Sequence, residues 1–182
     1  MTENSDTLPE VCVCYILNET PEAGYQVLLG EKKKGLGLGK LVGPGGKLEP
    51  GETPRQAAVR EVFEESGLHT SENELVLVGR IRYEFPFRED WSQVSWVFVT
   101  RSWHGDIVES DELLLRWHNV ADIPFERMWD DARFWLPDLL ASPEAPHYIE
   151  RRFVFGADLS TVVESDGQPI EASGAATPRS RA

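Results

Sequence analysis

An α/β sandwich with a central mixed β-sheet is the fold class this chain predicts, and three observations predict it. Its elements run strands, helix, several strands, helix, strands, an order that suits a mixed sheet covered by helices better than a doubly wound parallel one. Its 182 residues make one domain of ordinary size. Its 41% hydrophobic content, with six Trp and eight Phe, supplies a packed core and excludes wholesale disorder.

Residues 1–9 are polar and contain Pro9, and are expected to form a flexible N-terminus ahead of a globular domain over residues 10–164. VCVCYIL reads as a strand with Cys12 and Cys14 on one face. Both thiols are expected to be buried and reduced, because His69, His104, His118 and His147 lie without metal-ligand spacing. YQVLLG follows as a second strand across a Pro/Gly turn, and the loops EKKKGLGLGK and GPGGKLEPGE come next. TPRQAAVREVFEESG predicts a helix with Thr53 as N-cap, Pro54 at its first position, Gln56 three residues after the cap and Gly67 as terminator.

ELVLVGRIRYEF and SQVSWVFVTRSW are β-rich stretches separated by Pro86 and the charged FRED turn, and LLLRWHNV is a shorter strand. DDARFWLPDLLA predicts a second helix, which Pro137 forces to start late, bend or divide. YIERRFVF and LSTVVES, joined at FGAD, make a terminal hairpin. Residues 165–182, rich in Gly, Ala, Ser, Thr and Pro, are expected to be a disordered C-terminal tail.

Eighteen basic against 31 acidic residues give a net charge of −13, so no broad positive surface is available and duplex nucleic acid is not an expected partner. A small polyanion binds such a chain where a divalent cation and a few local Lys or Arg residues reverse the field. No apolar run approaches the roughly 20 residues that span a bilayer, and MTENSDTLPE lacks the basic and apolar regions of a signal peptide. No membrane partner and a cytoplasmic location are the resulting expectations.

The first helix carries the chemistry. At 100° per residue from Glu61, Glu65 falls at about 40° and Glu64 at about −60°, while Val59, Val62 and Phe63 fall on the opposite side. Like charges at i,i+3 and i,i+4 repel; Arg60 reaches Glu64 at i,i+4, which leaves the other two uncompensated. A solvated acidic stripe is the plain alternative. Against it stands the adjoining Gly-rich loop, which permits close backbone approach and adds Glu49 and Glu52. Hard carboxylate ligands of this kind suit Mg²⁺ or Mn²⁺ bridging to phosphate.

The spacing Gly46, five residues, Glu52, seven residues, then Arg60, Glu61, Val62, Phe63, Glu64, Glu65, Ser66, Gly67, Leu68 resembles the Nudix box at every fixed position. The resemblance implies a Nudix-type α/β/α sandwich and hydrolysis of a nucleoside diphosphate linked to another group. It implies Glu61 and Glu65 as ligands of Mg²⁺, with Mn²⁺ as an alternative, and Glu64 as ligand or proton acceptor. Arg60 would orient the glutamates, Gly46 would offer a carbonyl to the metal, and Glu52 would support the box from outside.

Further stretches, GGKLEPGET, EESGL, YEF, VESDE, IPFERMW and FWLP, are similar to the MutT-type branch that hydrolyses oxidised purine nucleoside triphosphates. That likeness implies Glu112 as a further ligand or the general base, and Tyr83, Phe85, Met128, Trp129 and Asp131 as the wall of a base pocket. Two positions depart from the branch: Val42 stands where it places an Asn, and Ala132 where it places the second of two adjacent acids. Asp130 is a candidate to take that vacant role. Lys47, beside the glycines, is the preferred phosphate contact over Lys32, Lys33, Lys34 and Lys40, while Trp96, Trp103, Trp117 and Trp135 are expected in the core or on a sheet face.

The reaction expected is substitution at phosphorus by an activated water, giving nucleoside monophosphate and pyrophosphate from a triphosphate such as 8-oxo-dGTP. Two alternatives stay open: a Nudix hydrolase of a dinucleotide, ADP-ribose, a nucleotide sugar or an RNA 5′ end, and a non-catalytic nucleotide-binding module. Oligomeric state is left open, with a monomer favoured.

Overall fold

The computed structural model describes residues 7–170. Strands β1 (Glu10–Thr20) and β2 (Gly24–Lys32) form an antiparallel hairpin, with Leu17 opposite Val27 and Gly24 at φ 66° in the turn. After them come β3 (Leu41–Val42), β4 (Gly45–Lys47), α1 (Pro54–Ser66), β5 (Val76–Glu84), β6 (Gln93–Thr100), β7 (Leu113–Asn119), α2 (Ala132–Ala141), β8 (Ile149–Phe155), β9 (Val162–Ser165) and β10 (Gln168–Pro169). The strands pair in the order β10-β9-β8-β5-β6-β1-β2-β3, with β4 on β1 and β7 on β2. β1 with β6 and β5 with β8 are parallel, and the other ladders are antiparallel. The sheet is mixed, as expected.

Alternation along β1 divides the core in two. Cys12, Cys14 and Ile16 face Ala57, Ala58 and Val62 of α1, whereas Tyr15 and Leu17 face Trp135, Leu136, Leu139 and Leu140 of α2. A helix on each side of the sheet is the sandwich that period-2 strands with two apolar faces require. Both cysteines are free and buried.

The helix α1 begins and ends where its sequence signals lie. Gln56 N–H donates to Thr53 Oγ1 and Thr53 N–H to the Gln56 side chain; Gly67 adopts φ 74° with its N–H on Phe63 O. Its buried face is Ala57, Ala58, Val62, Glu65 and Ser66, which corrects the wheel: Phe63 is 50% exposed and its ring lies 4.7 Å from that of His69. Small Ala57 and Ala58 rotate the helix's contact towards the sheet, and Glu65 goes in with them.

Two further expectations change. α2 runs continuously across Pro137, because its buried Trp135, Leu136, Leu139 and Leu140 outweigh the one main-chain hydrogen bond that proline cannot donate. The order assigned to residues 10–164 extends further, since β10 pairs with β9 and Ile170 N–H donates to Val163 O. Residues 1–6 and 171–182, on which the remaining terminal expectations fall, lie outside the described residues. No helix of the described residues is long and apolar enough to cross a membrane.

Candidate active site

The short strand β4 is the hinge of the site. Gly45 and Gly46 pair with Val13 and Cys12 of β1, and a Cβ on Gly45 would stand 2.1 Å from Cys12 O. A Cβ on Gly46 would stand 2.4 Å from Glu61 Oε1. Glycine at both positions therefore lets α1 press its carboxylates onto this backbone.

Glu65 is 3% exposed. Its Oε2 accepts from Gly45 N–H at 2.9 Å, and its Oε1 is buried without a partner. Burial pushes its carboxyl up to about 7; the Gly45 N–H and Lys32 oppose that rise, while Glu61 and Glu112 add to it. Burial also raises Glu61, against the pull of Arg60.

Arg60 ties the rest together. Its guanidinium reaches Glu52 Oε1 at 2.8 Å and Oε2 at 2.9 Å, Glu61 Oε1 at 2.8 Å, Glu64 Oε2 at 3.1 Å and Lys47 O at 3.1 Å. Helical spacing alone predicts the pair with Glu64, and the resemblance implies that Arg60 orients the glutamates. The arginine instead compensates three carboxylates, holding Glu52 down at about 2 and leaving Glu65 as the one it does not touch. Glu64 itself is exposed.

Glu112 arrives from the loop before β7. Its charge acts on both Glu61 and Glu65, and Lys34 Nζ lies 3.2 Å from its Oε1. The three neighbouring lysines divide their work. Lys33 binds Glu109 Oε1 at 2.7 Å and Ser110 O at 2.8 Å, and Lys34 holds Glu112, so these two fasten the acidic loop to the hairpin. Lys32 faces the cleft, as does Lys47.

These donors fit a divalent cation. They are hard oxygens, one of them is a buried carboxylate oxygen without a partner, and the Gly46 backbone lies against Glu61. Among the described residues no group of three or more His, Cys, Asp or Glu side chains is arranged to hold a metal ion; Arg60 and Lys34 hold four of the carboxylates.

A cavity of about 250 Å³ opens from the same glycines. Tyr83, Phe85, Met128, Trp129 and Asp131 all line it, together with Val42 and Ala132. Phe85 and Phe155 stack at 4.4 Å and 5°, and Trp129 meets both edge-on at 5.9 and 5.7 Å. Lys40 is placed over the Trp129 ring at 5.6 Å and donates to Met128 O, away from the carboxylates. Asp131 Oδ2 accepts from Tyr83 OH at 3.0 Å and Trp135 Nε1 at 2.8 Å. Trp135 is buried, as expected of it, and also holds this acid. Asp130 does not line the cavity: it binds Arg133 at 2.7 Å and Val162 N–H at 2.8 Å.

Sequence reasoning missed Gln93, Ser95, Leu36 and Phe155 in the cavity wall. The signal for the first two was present. Period 2 in SQVSWVFV sets Gln93 and Ser95 on the face that carries Val97 and Val99.

A comparison with known families matches residues 7–139, more than half of the chain, to the NUDIX domain. The chain is 43% identical over 115 residues to the oxidized purine nucleoside triphosphate hydrolase of Danio rerio, covering 63% of this chain and 72% of that one. It is 42% identical to the enzyme of that name in Mus musculus, with the same coverage. In fold it is similar to a MutT protein from Bacillus halodurans, with a TM-score of 0.69 at 22% identity over 89% of this chain and 100% of the other.

Proposed function

We infer, from the premise that this chain belongs to the NUDIX family and is one of its hydrolases, that it hydrolyses purine nucleoside triphosphates. Oxidised bases such as 8-oxo-dGTP are the favoured substrates, and the activity is sanitation of the nucleotide pool. One observation carries the reading: the glycines that meet Glu61 and Glu65 also line an aromatic cavity with Asp131 in its wall. A phosphate chain at the acidic end and a base at the aromatic end would occupy one continuous cleft. The names of the two relatives, 43% and 42% identical, support the substrate class.

The chain's residues divide the reaction as follows. Glu61 and Glu65, with Glu64 and the Gly46 carbonyl, would hold Mg²⁺, with Mn²⁺ as a substitute. When bound, such an ion supplies Lewis acidity towards water and phosphate oxygens. Arg60 fixes the rotamers of Glu61 and Glu64. Lys32 and Lys47 meet the negative charge of the triphosphate. Glu112 accepts the proton of the attacking water at the oxygen that Lys34 leaves free. The new P–O bond forms as the bond to the leaving pyrophosphate breaks, and the nucleoside monophosphate remains. Tyr83, Phe85, Met128 and Trp129 enclose the base. Free, buried Cys12 and Cys14 suit a reducing compartment, which supports action on the cytoplasmic pool.

The measurement is formation of the nucleoside monophosphate, separated by chromatography, from a panel of 8-oxo-dGTP, 2-hydroxy-dATP, dGTP, ADP-ribose and NADH, with Mg²⁺ and with Mn²⁺. The two oxidised purines are expected to lead in kcat/KM. Apolar Val42 and Ala132 in the wall favour a second reading, hydrolysis of another nucleoside diphosphate derivative, and preference for ADP-ribose or NADH would establish it.

A further inference from the structure

We propose that Gln93 and Ser95, on one face of β6, read the hydrogen-bonding edge of the purine and so set base preference, where Val42 and Ala132 offer no polar group. The inference rests on the reading of the cavity as a base site and names the residues that give it selectivity.

Three observations carry it. Gln93 stands opposite Tyr83, and Ser95 is flanked by Ile81 on β5 and Val11 on β1. Directly opposed residues share a face, and Tyr83 on that face meets Asp131 across the cavity. Both Gln93 and Ser95 line the cavity. Ser95 is 4% exposed and Gln93 is partly buried; among the described residues the buried side-chain atoms without a partner are Glu65 Oε1, Arg80 Nε and His118 Nε2, so the polar groups of Gln93 and Ser95 count as cavity lining rather than as buried unsatisfied atoms. The next two positions on this face are Val97 and Val99, both buried, so packing alone would be met by valine.

The acid already in the wall has less to offer. Asp131 Oδ2 takes both the Tyr83 hydroxyl and the Trp135 indole N–H, which assigns much of its accepting capacity to the protein. On β6, Gln93 and Ser95 add polar capacity to the same wall. A carboxamide presents a donor and an acceptor side by side in one plane, which matches a purine edge carrying an acceptor beside a donor. The serine hydroxyl turns to suit either.

The test is calorimetric binding of dGMP, 8-oxo-dGMP, dAMP and dCMP to the full chain and to Gln93→Ala, Gln93→Glu and Ser95→Ala. These ligands report the base site without requiring turnover. Gln93→Ala is expected to weaken the best-bound purine about tenfold and to leave dCMP within about twofold. Ser95→Ala should act in the same direction by about threefold, and Gln93→Glu, which loses the donor and keeps acceptors, should reorder the purines. Absence of purine binding by the unaltered chain, an equal loss across all four ligands, or no change in Gln93→Ala would each overturn the proposal. Triphosphate hydrolysis is measured separately: failure there refutes the activity proposed above, while the binding ratios still decide the role of Gln93.

Discussion

Asp131 sits in an apolar wall with two strong donors on one oxygen, and its carboxyl is pushed up to about 6 by burial, against the hydrogen bonds from Trp135 and Tyr83. Its ordinary value is 3.8, so the folded chain binds this proton more tightly than the unfolded one. The stability linked to it is therefore fullest below about pH 4, falls as pH rises towards 6, and is absent above that. Asp131→Asn keeps an acceptor for Tyr83 and Trp135 and removes the buried charge. It should stabilise the fold at pH 7 by about 1–3 kcal/mol and by almost nothing at pH 4, read as paired melts at the two pH values. An equal gain at both would mean that charge is not the cause. Asp131 was legible in the sequence only through resemblance. Its bond from Tyr83 was not, because Tyr83 is 48 positions away and no local periodicity relates a strand residue to a helix N-terminus; Trp135, at i+4, lies within reach of helical spacing.

The helix α1 was legible in detail because its cap, its proline and its terminating glycine act within a few residues of one another. Removing the reciprocal cap with Thr53→Ala is expected to cost about 1 kcal/mol, seen as a lower denaturation midpoint at unchanged m-value. Thr53→Ser should recover most of it. A loss no greater than that of a surface substitution would show that tertiary packing alone positions this end. The same locality explains what was misread. Gly-Gly-Lys has no β-propensity, and β4 exists because β1 offers it a ladder. The local penalty of Pro137 was read correctly, and long-range burial overrode it. In the wheel of α1, angle alone could not say which side met the sheet. Ala57 and Ala58 went in beside Val62, and Phe63 stayed out.

Taken whole, the molecule carries a net charge of −13 and directs several acids at one glycine backbone, an arrangement that costs stability by self-repulsion. Any salt relieves the diffuse part of that cost by screening. A cation bound at the carboxylates contributes beyond screening, because ligand binding to the folded state alone adds stability by mass action. At a hundredfold excess over its Kd, Mg²⁺ should add about 2.7 kcal/mol, a rise in Tm of roughly 5–10 °C for a chain of this size. The comparison is with NaCl of equal ionic strength and with EDTA. Glu65→Gln is the control that gives the experiment its meaning. It removes the buried carboxylate whose Oε1 lacks a partner, so its fold should melt no lower than the parent's without metal, since an uncompensated buried charge is gone. Its extra response to Mg²⁺ should disappear, and pyrophosphate release should fall by more than the roughly 10–100-fold typical of an outer-shell partner. If Glu65→Gln gains as much from Mg²⁺ as the parent does, the ion binds elsewhere on the acidic surface. The acidic flank of α1 would then be the solvated stripe that its charge run alone suggests.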